Sequence, residues 1–252
     1  MSDVLLCIPV INEESNLSVL LPRIFALYPK IHLIMVDDMS SDNTQELIEN
    51  LRNNLGVSIF HDYSNVRRGI GNAHIIGMKY ARENGYKYLV TMDGDLTHSP
   101  EYISDFIHIL GTNPTTKMVI GSRFLESGRL HNWTLVRKFM THGGHLLTRL
   151  FLGMKEDCSS GFRAYKVDNL PLGLLSDFEL KSYDFFFKSA YIFDRMNLGI
   201  LEISVKLNAR YTGQSKMRIS DVIKGVAGIL IFRFRFLIHD KIAKSKGLGL
   251  IS

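Results

Sequence analysis

Two aspartates one residue apart close an apolar run in VTMDGDLTHSP, residues 90–100. Unpaired charge at the end of a buried strand is costly, so Asp93 and Asp95 need a partner. Where a strand gives way to a turn, carboxylates spaced this way converge on one hard cation. A Mg²⁺ or Mn²⁺ held by only one or two protein carboxylates keeps its other positions for water and substrate phosphates. Gly94 between them leaves room for a ligand to approach the backbone. The same spacing also fits a solvated turn, so the pair gains meaning only from its surroundings.

Those surroundings repeat the design. VDDMSSDNT places Asp37 and Asp38 at the tip of an apolar run, with Asp42 as a helix cap ahead of Asn43 and Thr44. IPVINEE ends another run in Glu13 and Glu14, acids favoured where a helix opens. Four basic sites follow: RRGIGNA from Arg67, GSR ending at Arg123, Arg137 with Lys138, and RYTGQSK from Arg210 to Lys216. Arginine recognises phosphate with two parallel donors and lysine supplies a point charge. Glycines beside them let backbone donors approach an anion. Together these sites describe a pocket for a ligand with several phosphates.

The elements that must position these residues alternate. VLLCIP, IHLIMV, VSIF, YKYLVTM and KMVIG read as strands. NLSVLLPRIFALY, TQELIENLRNN, GNAHIIGMKYARENG and PEYISDFIHIL carry helical spacing, with Pro100 suited to a first turn. Alternation of this kind predicts an α/β fold with a mostly parallel central sheet, and ligands in such sheets bind beyond the carboxyl ends of the strands. After Arg123 come a basic helical stretch (132–153), a Gly/Ser-containing turn DCSSGFRAY, the aromatic cluster YDFFF, and a last strand near ILEISVKL.

The chain has 252 residues, 46% hydrophobic and 22% charged, enough for one main domain. A net charge of +5 and a pI of about 9.1 favour anionic partners. The arginines lie in separate motifs, not along one stripe, and no nucleic-acid module is visible, so no nucleic acid is expected. Cys7 and Cys158 predict no disulfide framework and fit a reducing, cytoplasmic compartment. The N-terminus has no basic leader and no long apolar run. The tract Gly225–Phe232 is too short to span a bilayer, whereas ISDVIKGVAGILIFRFRFLIHDK suits a helix lying at a membrane surface or packed against the core. The expected division is 1–218 as catalytic domain and 219–252 as an amphipathic, membrane- or partner-facing segment.

In order, IPVINEE, VDDMSSDNT, RRGIGNA, MDGDLTHSP, GSRF, DCSSGFRAY and RYTGQSK resemble the family 2 glycosyltransferases of the dolichol-phosphate (polyprenyl-phosphate) mannose synthase type, over about residues 4–225. The resemblance implies a Rossmann-like GT-A fold, a nucleotide-sugar donor with GDP-mannose favoured, Mg²⁺ or Mn²⁺, a polyprenyl phosphate acceptor and inversion at the anomeric carbon. It implies that Pro9, Ile11, Glu13, Val36 and Asp38 line the nucleoside pocket, and that Asp93, Gly94 and Asp95 meet the metal and diphosphate. Thr97 would join the metal residues, though it stands where the family commonly has Gln, which thins the metal shell. Arg210 and Lys216 would close over the donor phosphates, and Arg123, Arg137 and Thr141 would receive the acceptor phosphate. Asp95, Arg123, Arg137, Arg210 and Lys216 would thus carry catalysis. A phosphate monoester is already anionic, so no protein base is needed; His98 reads as a turn residue.

The pattern departs at Ile11, usually aromatic, at Ser41 and Asn43, usually Pro and Gly, and at Lys188, often Glu. These leave a UDP-sugar (glucose-type) donor open. A soluble or polysaccharide acceptor would require a base, and Asp157 is where it would sit. The expected location is the cytoplasmic face of a membrane, peripherally, through the 131–152 and 219–238 segments or a small membrane subunit.

Overall fold

The computed structural model describes residues 1–55, 58–126, 143, 145, 146, 148–178, 182–207, 228 and 231–238. Seven strands form one sheet: β1 (Val4–Val10), β2 (His32–Asp38), β3 (Ile59–Ser64), β4 (Tyr88–Thr91), β5 (Thr116–Ser122), β6 (Arg163–Lys166) and β7 (Gly199–Ser204), in the order β3-β2-β1-β4-β6-β5-β7. β1 pairs in parallel with β2 and β4, β2 with β3, and β5 with β7. Only β6 runs antiparallel, between β4 and β5. β1 and β4 are apolar along nearly their whole length, as strands covered on both faces must be.

Helices α1 (Glu14–Leu27), α2 (Thr44–Leu55) and α4 (Ile103–Thr112) cover one face, and α3 (Ile70–Glu83), α5 (Leu172–Asp177) and α6 (Asp184–Arg195) the other. Leu17, Leu20, Leu21 and Ile24 of α1, spaced three and four apart, pack with Leu6, Ile8, Leu33 and Met35. On the opposite face α3 lies so close to β1 that a methyl on Gly77 would sit 2.4 Å from the Cys7 sulfur. Pro100 opens a 3₁₀ turn leading into α4, as its fixed φ favours.

The expected strands and helices up to Ser122 are all present. β6 is the unanticipated one: DCSSGFRAY is a turn only as far as Phe162, and Arg163 then begins the antiparallel strand. The YDFFF cluster opens α6. Phe232 and Phe236, from the segment that suits either a membrane surface or the core, are buried in the same core as α6. Both cysteines are buried and free, as expected.

Candidate active site

Because β6 is antiparallel, its leading end lies at the carboxyl ends of β4 and β5. Three motifs therefore meet side by side: Asp93 and Asp95 after β4, the 157–162 segment leading into β6, and Arg123 after β5. The Thr91 hydroxyl donates to the Gly161 carbonyl at 2.8 Å and the Gly121 amide to the Phe162 carbonyl at 2.8 Å, so the central segment is fastened to both neighbours. Asn12, Met39 and Leu96 follow β1, β2 and β4 with φ of 51°, 73° and 65°. Left-handed non-glycine residues concentrated on one sheet edge mark strain of the kind held at functional rims.

Asp95 is buried and Asp93 is not: the Asp93 side chain is 41% exposed. Asp95 Oδ1 accepts from the Thr97 amide at 3.1 Å and the Thr97 hydroxyl at 2.5 Å. His98 Nδ1 accepts from the Asp93 amide at 2.9 Å, which leaves the ring proton on Nε2, 3.9 Å from Asp93 Oδ2. The ring stacks on Phe162 with centroids 4.8 Å apart, so His98 shapes the turn, as the sequence suggested. A methyl built on Gly94 would meet Ile8 and Val10 at 3.4 Å, so its Cβ side faces the core. A methyl on Gly161 would fall 3.3 Å from the Phe186 ring and 3.5 Å from Asp93 Oδ1, so this backbone packs closely against both. Among the described residues no three His, Cys, Asp or Glu side chains gather as a metal cage. One or two carboxylates beside an open edge suit a hard cation that shares its shell with phosphates.

Arg123 is committed. Its Nε donates to Asp157 Oδ2 at 2.7 Å and its Nη2 to Oδ1 at 2.6 Å and to the Ser159 hydroxyl. Burial works against the guanidinium charge, yet Asp157 and, farther off, Asp93 hold its pKa above the ordinary value. Burial likewise pushes the Asp157 carboxyl up, but Arg123 and the Ser159 hydroxyl hold it below the usual aspartate range. Glu202 on β7 was not singled out from the sequence; it accepts the Asp157 amide at 2.7 Å. Burial raises the Glu202 pKa against that hydrogen bond.

Around the neighbouring strand tips, Pro9 pairs with Val36 across β1 and β2, and Val36 is fully buried. Ile11 is half-buried beside them. Glu13 accepts from the Asn16 amide group at 2.5 Å while its own backbone N–H reaches the Thr44 hydroxyl at 3.0 Å. Asp42 caps α2 through the Thr44 amide, as expected, and also receives the Glu14 amide. Two backbone donors of RRGIG are already filled: Asp38 accepts the Arg68 amide at 2.6 Å and the Gly69 amide at 3.0 Å, just ahead of α3. Arg68 pairs with Asp62. Lys188 pairs with Asp184 at 2.5 Å and lies 5.5 Å from the Phe232 ring. Arg137, Thr141, Arg210 and Lys216 lie outside the described residues.

The sequence model of glycosyl transferase family 2 matches residues 5–170. An undecaprenyl-phosphate mannosyltransferase of Micrococcus luteus is 33% identical over 92% of this chain and 93% of its own length. A polyprenol monophosphomannose synthase of Mycolicibacterium smegmatis is 29% identical over 86% of this chain and 82% of its own. Among solved structures, glucosyl-3-phosphoglycerate synthase from Mycobacterium tuberculosis, in complex with Mn²⁺, UDP and glucosyl-3-phosphoglycerate, superposes with a TM-score of 0.65 at 20% identity. That match covers 91% of this chain and 79% of the other, and establishes the shared fold.

Proposed function

Because the chain belongs to glycosyl transferase family 2 and has the GT-A fold, we propose that it transfers a hexose, mannose from GDP-mannose, onto a polyprenyl phosphate with inversion, at a membrane surface. The observation that carries this reading is the row of three motifs across β4, β6 and β5, with Asp157 neutralised by Arg123. A hydroxyl acceptor needs a base to take its proton, and a carboxylate locked in a guanidinium fork is a weak one. A phosphate monoester needs none. The named relatives from Micrococcus luteus and Mycolicibacterium smegmatis support the same acceptor class.

The residues fit a divalent ion: Asp93 and Asp95 would hold Mg²⁺ or Mn²⁺, which when bound neutralises the departing nucleoside diphosphate. Thr97 orients Asp95 through its hydroxyl. Arg123, fixed by Asp157 and Ser159, offers its remaining nitrogen, Nη1, to the acceptor phosphate, with Arg137 and Thr141 assisting. The acceptor oxygen forms the new bond to the anomeric carbon as the bond to the diphosphate breaks, and the electron pair leaves with the nucleotide. No proton has to move. Catalysis is then positioning plus charge stabilisation, with Arg210 and Lys216 closing over the donor. Pro9, Ile11, Glu13, Val36 and Asp38 form the nucleoside side of the pocket.

No helix among the described residues is long and apolar enough to cross a membrane. Residues 231–238 are helical and turn Phe232 and Phe236 into the core while Ile231, Phe234, Leu237 and Ile238 stay exposed beside Arg233 and Arg235. That supports peripheral docking on an anionic cytoplasmic leaflet, directly or with a small membrane subunit.

The test incubates the protein with Mn²⁺, a polyprenyl phosphate and labelled GDP-mannose or UDP-glucose in parallel, with Asp95→Ala as control. Label entering the organic phase from GDP-mannose, dependent on Asp95, is the expected result. Transfer from UDP-glucose instead changes the donor, and label confined to water-soluble product overturns the lipid acceptor.

A further inference from the structure

Among the described residues Arg163 is the largest fully buried side chain, and no carboxylate pairs with it. A buried charge of that kind is unfavourable unless its donors are met. Four of the five are: Nε donates to the Ser160 carbonyl at 2.7 Å, Nη2 to the Cys158 and Phe186 carbonyls at 2.8 Å each, and Nη1 to the Ser189 hydroxyl at 2.9 Å. The guanidinium also lies 5.4 Å from the Phe186 ring centre, within reach of its π face. No other residue type spans two chain segments with a planar set of donors like this; lysine has a point of charge and no fork.

What these partners hold is specific to the site. The Cys158 and Ser160 carbonyls flank Ser159, whose hydroxyl contacts both Asp157 and Arg123. The Phe186 carbonyl belongs to the first turn of α6, and its ring closes on Gly161, which abuts Asp93. One guanidinium beneath the rim therefore ties the 158–161 segment to α6, between the aspartate pair and Arg123.

We propose that Arg163 is a positioning residue: by holding the 158–161 segment against α6, it sets the spacing between the Asp93–Asp95 carboxylates and the Arg123 guanidinium, and so between leaving group and nucleophile. The proposal rests on the glycosyl-transfer reading, in which those two groups face the donor diphosphate and the acceptor phosphate. Misplacement of reacting groups by about 1 Å is enough to lower turnover about 100-fold.

Arg163→Lys keeps the charge and most of the length but loses the fork; Ser189→Ala removes a single bond and guards against a lysine variant that fails to fold. Both are compared with wild type by thermal melting, by Mn²⁺-dependent GDP binding, and by kcat and KM for each substrate. Arg163→Lys is expected to lose about 100-fold in kcat per folded molecule with GDP affinity within about threefold of wild type, and Ser189→Ala to lose a smaller factor in the same direction. Unchanged kcat in folded variants overturns the proposal. Crystal structures of wild type and both variants provide an arm independent of turnover. The expected result is Arg123 displaced relative to Asp93 while β1 and α3 superpose, and an unmoved Arg123 overturns the proposal whatever the substrate. Wild-type protein that transfers nothing to polyprenyl phosphate overturns the acceptor reading and leaves that crystallographic comparison to decide on Arg163.

Discussion

Arg123 and Asp157, 34 residues apart in sequence, form a two-pronged ion pair with N–O distances of 2.7 and 2.6 Å. The pair is buried on the Asp157 side and nearly so on the other, which decides what Asp157 can do. Its carboxylate is ionised throughout the working pH range and its lone pairs are engaged. Breaking one side of a buried pair typically costs about 3–5 kcal/mol. Asp157→Asn is therefore expected to lower the urea midpoint and to raise the acceptor KM more than it lowers kcat. The stabilisation from a lowered carboxyl pKa is present above the unfolded pKa and disappears only as pH falls through the folded one. The difference between the variants should accordingly be full at pH 7 and shrink below about pH 4. A loss of about 100-fold or more in kcat at unchanged acceptor KM would instead identify Asp157 as a general base.

Thr97 Oγ1 lies 2.5 Å from Asp95 Oδ1 and its amide 3.1 Å from the same oxygen. Groups that orient a metal ligand typically contribute about 10–100-fold to metal affinity. Thr97→Val retains the amide contact and loses the hydroxyl. Titration of Mn²⁺ in the presence of a nucleoside diphosphate, followed by electron paramagnetic resonance, is expected to show a loss within that range. Equal affinity would mean that the hydroxyl does not set the Asp95 orientation.

Much of this architecture was legible in the chain, and the gaps have physical causes. Apolar runs such as VLLCIP and IHLIMV announce buried parallel strands because both of their faces must be covered, and the polar residues at their ends fall where ligands bind. β6 escaped because four residues, RAYK, carry an arginine and no alternation, and the preceding Ser-Ser-Gly reads as a turn. Pairings across the sheet edge were equally hidden: nothing local connects Asp38 with the amides of Arg68 and Gly69, Asp157 with Arg123, or Glu202 with Asp157. Those depend on strand order, which single-sequence patterns do not encode. Arg163 was invisible for a related reason, since a charged residue in a turn-like stretch reads as surface until its carbonyl partners are known.

His74 on α3 is fully buried with neither ring nitrogen hydrogen-bonded, stacked on Phe185 at 5.1 Å and edge-on to Phe186 at 5.0 Å. Burial, with Arg163 and His98 adding, pushes its pKa down to about 3. Between about pH 6.5 and that value the unfolded chain binds a proton that the folded chain excludes. Stability therefore falls as pH falls, by up to about 1.4 kcal/mol per pH unit from this ring. His74→Leu removes that dependence and two unpartnered nitrogens, each of which disfavours the folded state by about 1–3 kcal/mol. Urea melts at pH 7 and pH 5 are expected to show a variant at least as stable as wild type at pH 7 and less sensitive to acid. An identical pH response in the two proteins would mean that the ring is protonated in the folded state.

The helical residues 231–238 carry apolar side chains on both sides. Phe232 and Phe236 pack against Phe178 and Tyr191, with ring centres 5.0 to 5.9 Å apart. The opposite side leaves Phe234 67% exposed, and Leu150, on the helical stretch to which Arg233 is bonded through the Phe151 carbonyl, is 66% exposed. Transfer of one such side chain from water into a bilayer interface is worth about 1.5–3 kcal/mol, or at least about tenfold in affinity. Phe234→Glu and Leu150→Glu are each expected to weaken co-sedimentation with vesicles of anionic phospholipid by that factor. Arg235→Gln should weaken it less, by about 1 kcal/mol, and only at low salt. Since none of the three touches the rim of the sheet, transfer to a short, detergent-dispersed polyprenyl phosphate should persist in all of them. Vesicle binding unchanged in both glutamate variants would assign this face to a protein partner and move membrane contact elsewhere on the chain.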